Sequence, residues 1–264
     1  MVKLSVIIPN YNSSKWINQC IDSVLNQMYS NFELIIVDDM STDDSVEKIK
    51  QYVDPRIKLI ELDKKRFNGG SRNVGVEYSD GDYILFLDCD DYFYNVFVFK
   101  KIVDVIEKTN ADLIRLPYRA KTQKGGFTVR LKENNPKDLV NSVFCAPWTK
   151  CIKRDLFVPF PENTLLEDVV QHIAQVDVIN SIGLVDTPVV VWNRTNENAI
   201  SSEVKTYTRD DKRYSSVYRN VADLLDLRCK HDYCEEHRQF RLNNYIDIVQ
   251  RGDILGLING VKTR

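Results

Sequence analysis

Apolar residues in the first third of the chain fall into short, nearly unbroken runs, with helical spacing between them. Leu4 to Pro9 is one run, Phe32 to Val37 a second, Ile57 to Leu62 a third and Tyr83 to Leu87 a fourth. All four predict strands, and the fourth, five apolar residues in a row, predicts one covered on both faces. Between the first two, Trp16, Ile17, Cys20, Ile21, Val24 and Leu25 share one helical face. They predict a helix to about Gln27, capped by Ser13 or Ser14. A second helix is predicted from Ser41 or Thr42 to about Val53. Asn68-Gly69-Gly70 predicts a turn, followed by a short helix from Ser71 to Tyr78. Strands alternating with helices predict an α/β fold with a largely parallel sheet.

After about residue 116 the alternation loosens. Lys121 to Gly126 predicts a hairpin turn before a strand at Phe127 to Leu131. A helix is predicted over Leu165 to Val178, then strands near Ile182 to Val185 and Val189 to Trp192. From about Tyr207 the spacing is helical, and Tyr207, Tyr214, Tyr218, Leu224, Leu225 and Leu227 form a stripe that reads as core. Ile254 to Val261 is a short apolar end interrupted by Gly256 and Gly260.

Composition narrows the class without naming a function. The chain has 264 residues, 43% hydrophobic and 28% charged, as in ordinary globular proteins. A net charge of −2 gives no global attraction to nucleic acid or to an anionic membrane. No run approaches the ~20 apolar residues of a membrane-spanning helix, and the chain enters its first strand with no signal-peptide pattern. Cys20, Cys89, Cys145, Cys151, Cys229 and Cys234 are scattered, which predicts reduced thiols in a cytoplasmic compartment. Cys229, His231, Cys234 and His237 crowd together, but their spacing matches no standard zinc site.

The chemistry gathers where strands end. Asp88-Cys89-Asp90-Asp91 follows the fourth run directly. Carboxylates this close repel unless a cation lies among them, and an all-oxygen set suits a hard divalent ion. An Asp-rich turn is the plainer alternative. In an open α/β sheet, ligands bind beyond the carboxyl ends of the strands. The first strand ends in Pro9-Asn10-Tyr11-Asn12 and the second in Asp38-Asp39-Met40-Ser41-Thr42-Asp43. Tyr11 can stack on a base, and Asp39 can accept from a base edge or a ribose hydroxyl. Arg72, near the start of a predicted helix, suits an anion or a base edge.

Five segments, in order, resemble the family 2 glycosyltransferases, which have the GT-A fold. They are Ser5 to Asn12, Ile36 to Asp43, Gly70 to Gly75, Phe86 to Asp91 and Leu166-Glu167-Asp168. The resemblance covers about residues 3 to 200. It implies a catalytic domain over 1–205, with a nucleotide-sugar-binding half (1–116) and an acceptor-binding half (117–205), and a helical region over 206–264. It further implies that Pro9, Tyr11, Asp39 and Arg72 hold the nucleotide base and that Asp88 contacts the ribose. Asp90, in a DXD motif, would ligate Mn²⁺ or Mg²⁺ bridging the donor diphosphate. Asp168 would be the general base in a single displacement that inverts the anomeric centre. Helix N-terminal charge complementarity is the plain alternative for both Glu167 and Asp168.

Four further assignments are weaker. Trp148 matches a tryptophan the family places beside the acceptor, or else a core residue. Arg194 stands near the place of a diphosphate contact, while Asn193 replaces the histidine that many relatives carry. Asp91 and Glu167 fall beside the metal and base positions. His172, one turn beyond Asp168, reads as a packed or hydrogen-bonded histidine.

The function implied is transfer of a hexosyl or N-acetylhexosaminyl group from a nucleotide sugar, a UDP-sugar in the first instance. The acceptor would be a hydroxyl of a glycan or lipid-linked saccharide in bacterial-type surface polysaccharide synthesis. In relatives the C-terminal helices contact the acceptor, a second subunit or the inner face of the cell membrane. A catalytically inactive glycan-binding or scaffold protein on the same fold is the main rival, opposed by the intact Asp88, Asp90 and Asp168. A phospho-receiver would leave most of the chain without purpose. A nucleotidyltransferase would need a Gly-rich basic loop after the first strand, where Asn10 to Ser14 stands.

Overall fold

A computed structural model of the chain describes residues 1–129, 146–162, 167–176 and 178–196. The predicted strand over Phe127 to Leu131 is described as far as Val129. The helices and stripe expected beyond Tyr207, and the Cys229/His231/Cys234/His237 cluster, lie outside these residues.

The four apolar runs form the parallel heart of a sheet: β1 (Leu4–Asn10), β2 (Phe32–Asp38), β3 (Ile57–Glu61) and β4 (Tyr83–Phe86). Every residue of β1, β2 and β4 is buried, as expected for strands covered on both faces. β1 lies between β2 and β4, parallel to both, and β3 extends the sheet beyond β2. Three later strands complete it on the other side: β6 (Leu113–Arg115), β9 (Lys150–Lys153) and β10 (Ile182–Leu184). The strand order is β10-β6-β9-β4-β1-β2-β3, with β9 antiparallel to both neighbours.

A smaller sheet has the order β5-β11-β7-β8, built from β5 (Tyr92–Phe93), β7 (Tyr118–Thr122), β8 (Gly125–Val129) and β11 (Val190–Asn193). β7 and β8 form the predicted hairpin, but Lys121 and Thr122 belong to the strand, so Gln123 and Lys124 alone make the turn. The strand order reverses at β1, which is followed in sequence by β2 on one side and faces β4 on the other. This is the switch point at which an open α/β sheet opens a crevice. β4 pairs with β1 only as far as Ile7, so Pro9 and Asn10 run on past it.

Helices cover the sheet: α1 (Ile17–Leu25), α2 (Ser45–Lys50), α3 (Phe67–Glu77), α4 (Val98–Thr109) and α5 (Glu167–Val176). Ile17, Cys20, Ile21 and Val24 face the core, as their spacing predicts. The predicted caps of α1 do not form: Ser13 bonds Asn10 and Ser14 bonds Asp44. The Ser13 hydroxyl instead fastens its loop to the end of β1, and that of Ser14 ties the loops after β1 and β2 together. α3 corrects a second expectation, because Asn68-Gly69-Gly70 lies inside its first turn rather than in a turn before it. The glycines serve close approach. A Cβ on Gly69 would come within 2.9 Å of Glu167 Cγ and of the Pro161 carbonyl oxygen, and one on Gly75 would strike Ile7 of β1.

Candidate active site

Three strand-end loops turn on a non-glycine residue with left-handed backbone: Asn12 after β1 (φ 48°), Met40 after β2 (φ 63°) and Phe67 after β3 (φ 59°). For Met and Phe this costs on the order of 1 kcal/mol or more each, and such strain concentrates at functional sites. A buried polar network holds two of these loops together. Asn10 Nδ2 donates to Asp38 Oδ1 at 2.6 Å and to the Ser41 and Ser45 hydroxyls at 3.2 Å. Asp38 accepts from the Ser41 amide at 3.0 Å. Asn12 Oδ1 accepts from the Thr42 amide at 2.7 Å. Asp43 accepts from the amides of Ser14 and Ser45. Burial pushes the Asp43 carboxyl up, but these bonds and that from the Ser45 hydroxyl outweigh it and hold the carboxyl low. Asp38 and Asp43 are thus occupied within the protein, which sequence reasoning did not resolve from Asp39.

Asp39 is 3% exposed and stands at the start of α3. Its oxygens accept from the amides of Arg66 at 2.7 Å and Phe67 at 2.9 Å, where a negative charge complements the helix dipole. Tyr11 lies beside it, 46% exposed, with the Lys65 ammonium over its ring.

Arg72, buried on α3, joins two parts of the site. Its Nη2 lies 2.7 Å from Asp88 Oδ1 and its Nη1 lies 3.0 Å from Glu167 Oε1. Burial disfavours its charge, but Asp88 and Glu167 prevail and its pKa is raised. Its Nε has no partner among the described residues. The end of β4 and the start of α5 are therefore held by one guanidinium.

Asp88 and Asp90 are half-buried after β4, and Asp91 is buried. Asp91 accepts from the Asn193 amide at 2.7 Å, tying this loop to β11. Asp90 Oδ2 accepts from Asn196 Nδ2 at 2.7 Å. Burial raises the Asp90 carboxyl, Asn196 opposes this, and Asp88 adds to it. Burial raises Asp91 strongly, with Asp90 and Asp88 adding their charge. Crowded carboxyls held up in this way are stabilised by a cation. No group of three or more His, Cys, Asp or Glu side chains among the described residues forms a ready metal cage. Mg²⁺-like ions need none, since they bind through one or two carboxylates together with waters and substrate phosphates. Asp88 and Asp90 fit that pattern. Asn193 contributes a buried Nδ2 with no partner among the described residues.

α5 is positioned by its buried glutamines. Gln171 Nε2 donates to the Val158 carbonyl at 3.0 Å. Gln175 accepts from the Val158 amide at 2.9 Å and donates to the Leu156 carbonyl at 2.7 Å. His172 is buried, with Nδ1 3.3 Å from the buried Lys150 Nζ, the hydrogen-bonded histidine expected. Burial lifts the Glu167 carboxyl to about 7; Arg72 opposes the rise and Asp168 reinforces it. Asp168 is half-buried at the second residue of α5.

The weaker assignments are placed as follows. Trp148 is 2% exposed and packs edge-on against Tyr118 at 5.0 Å and tilted against Trp192 at 6.0 Å, which accounts for it as core. Arg194 is exposed, with its guanidinium 4.7 Å from the Trp192 ring centre. Sequence reasoning missed Lys65, Asn196 and the glutamines. Lys65 alone left a signal, the charged run Asp63 to Arg66 in a strand-end loop.

Known proteins place this geometry in a family. A family model described as "Glycosyl transferase family 2" matches residues 5–166. Poly(ribitol-phosphate) beta-N-acetylglucosaminyltransferase TarS of Staphylococcus aureus is 30% identical over 174 residues, covering 62% of this chain and 30% of its own. The UDP-Glc:alpha-D-GlcNAc-diphosphoundecaprenol beta-1,3-glucosyltransferase WfgD of Escherichia coli is 41% identical over 88 residues, 33% of this chain and 35% of its own. The chain thus spans about a third of the length of these two relatives. In structure, residues 1–349 of S. aureus TarS in complex with UDP-GlcNAc superpose with a TM-score of 0.78 at 24% identity, covering 98% of this chain and 76% of that one. The mannosyltransferase PcManGT of Pyrobaculum calidifontis, in complex with GDP-Man and Mn²⁺, superposes with a TM-score of 0.63 at 14% identity, covering 97% and 75%. The fold is the GT-A fold, and the chain belongs to glycosyltransferase family 2.

Proposed function

We propose that the chain moves a sugar from a UDP-sugar to a hydroxyl of a glycan or lipid-linked saccharide, with inversion and with a divalent cation. The observation that carries this is the Arg72 bridge, which joins Asp88 at the donor-side strand end to Glu167 at the start of α5. In this reading it links the donor groups to the helix that carries Asp168. The activities of TarS and WfgD and the UDP-GlcNAc complex support the donor class and the acceptor class.

In this reading Tyr11, Pro9 and Asp39 receive the base, and Arg72 orders the Asp88 carboxylate that faces the ribose. Asp90 and Asp88 would hold the Mn²⁺ or Mg²⁺. When bound, the cation supplies neutralisation of the charge that builds on the departing diphosphate. The Mn²⁺ in the PcManGT complex supports a divalent cation in this reading. Asp168 takes the proton from the acceptor hydroxyl as its oxygen attacks the anomeric carbon. Glu167 is turned to Arg72 and serves as its counter-charge rather than as the base. Residues 1–116 then supply the donor groups, and residues from 117 onward supply the base and the acceptor side.

A thermal-shift panel of UDP, GDP, CDP and dTDP with and without Mn²⁺ tests the reading, because a ligand of the folded state raises the melting point by mass action. A metal-dependent rise with UDP is expected. No rise with any nucleotide would sink it.

A further inference from the structure

The small sheet segregates charge. Residues 92–97, 118–129 and 189–196, which contain its strands and its hairpin turn, hold Arg119, Lys121, Lys124 and Arg194 and no carboxylate, in a chain with 38 Asp and Glu. Tyr118 and Ala120 of β7 are buried, while Arg119 and Lys121, at the alternate positions, are exposed on the opposite face. Neither has an ion-pair partner among the described residues. A Cβ on Gly126, the register partner of Lys121 on β8, would lie 3.7 Å from Arg119 Nε, so Arg119 leans toward the Lys121 row.

On its other side β7 pairs with β11. Lys121 is in register with Asn193 and Arg119 with Val191, so these four side chains share one face. Adjacent strands lie about 4.8 Å apart, which sets Lys121 one strand away from the residue whose amide holds Asp91. Asn193 is 2% exposed, and its Nδ2 has no partner among the described residues. Burial lifts the Tyr92 hydroxyl and the Arg119 charge opposes the rise, so that charge is felt at the residue next to Asp91. Arg194, by contrast, lies over Trp192, which falls on the opposite face.

Two cations and an orphaned amide nitrogen thus gather on one face beside the acidic loop. Like charges side by side repel, and a buried N–H without an acceptor is costly. An anion relieves both. The three donors come from two strands and two rows, which suits the several oxygens of a tetrahedral phosphate better than a planar carboxylate. The donor's own diphosphate has its counter-charge in the cation assigned to Asp88 and Asp90, and β7 belongs to the acceptor side.

We propose that this face is a phosphate subsite for the acceptor, in which Arg119, Lys121 and Asn193 Nδ2 hold a phosphate group carried close to the attacking hydroxyl. The phosphate belongs to a carrier-lipid diphosphate or to a polyol-phosphate chain. The inference rests on the transferase reading of the neighbouring site.

The full chain, its donor site filled with UDP and Mn²⁺, is titrated calorimetrically with phenyl N-acetylglucosaminide, phenyl N-acetylglucosaminyl diphosphate and a glycerol phosphate trimer. At least one phosphate probe is expected to bind about tenfold or more tightly than the neutral sugar. Arg119→Gln and Lys121→Gln should each weaken it about tenfold, the scale of one hydrogen bond to a charged group, with UDP affinity unchanged. Preference for the diphosphate identifies a lipid carrier, and preference for the trimer a polyol chain. Equal binding of neutral and phosphate probes would overturn the subsite. Weaker UDP binding in both variants would make these cations donor-diphosphate contacts and overturn it too. So would charge-dependent binding to vesicles of equimolar phosphatidylglycerol and phosphatidylcholine without any preference among the soluble probes, which would make the face a membrane contact. Failure of wild type to bind UDP would instead overturn the transferase reading. Melting temperatures within a few degrees of wild type, expected for exposed side chains, show that the variants are folded.

Discussion

Arg72 and Glu167 face each other at 3.0 Å across the gap between α3 and α5. Asp88 holds the other amino group of the same guanidinium. Removing one member of a buried ionic set leaves the others uncompensated, at about 3–5 kcal/mol. Arg72→Met is expected to destabilise the protein by about that amount, read from urea midpoints. Arg72→Lys, a point charge unable to span both carboxylates, should recover only part of it. A wild-type midpoint in Arg72→Met would show that the bridge contributes nothing.

Asp168→Asn keeps the shape of the residue and removes its basicity. Transfer is expected to fall at least about a hundredfold, the scale of general base catalysis, with UDP affinity within a factor of about two. Single-turnover kinetics beside UDP titration checks this. Near wild-type transfer would hand the base role to another group.

Asp90→Ala should act on the opposite side of the site. The extra thermal shift that Mn²⁺ gives to UDP is expected to disappear, while the smaller metal-free shift remains. If Mn²⁺ still enhances UDP binding as in wild type, Asp90 is not the metal ligand.

Glu167 links pH to stability. Burial raises its carboxyl from 4.5 to about 7. Between these values the folded protein holds a proton that the unfolded chain has lost. Stability must therefore fall as pH rises through that window and level off above it, with a slope of up to about 1.4 kcal/mol per pH unit. Asp90 and Asp91, also raised, act in the same direction. Glu167→Gln should flatten the curve measurably without abolishing it. Parallel curves for wild type and variant would rule Glu167 out as the source.

The parallel heart of the fold was legible because β1, β2 and β4 are buried on both faces, so packing and apolar run coincide. Helix starts were less so. Ser13, Ser14 and Gly69-Gly70 carry strong cap and turn signals, yet each is used otherwise: Ser13 for the end of β1, Ser14 and Gly69 for residues distant in sequence. Serines that could cap α1 bond Asn10 and Asp44, and a glycine pair that could turn the chain lets α3 approach Glu167. The same limit applies to the site. Asp88, Asp90 and Asp168 stand in recognisable local settings. The partners that hold this region, Asn193, Asn196, Gln171 and Gln175, are ordinary polar residues in their own stretches and acquire meaning only from the fold.

The Arg72–Glu167 contact spans 95 residues of sequence, Asp91–Asn193 spans 102 and Asp90–Asn196 spans 106. On the ribosome, β1 to β4 emerge long before these partners exist. Until α5 is made, the nascent chain carries a guanidinium with half its counter-charge and a crowd of carboxylates without their amide donors. Long-range closures of this kind come late in folding. Residues 1–116 are thus not a module that can be cut out, because their charges are settled only by chain translated afterwards.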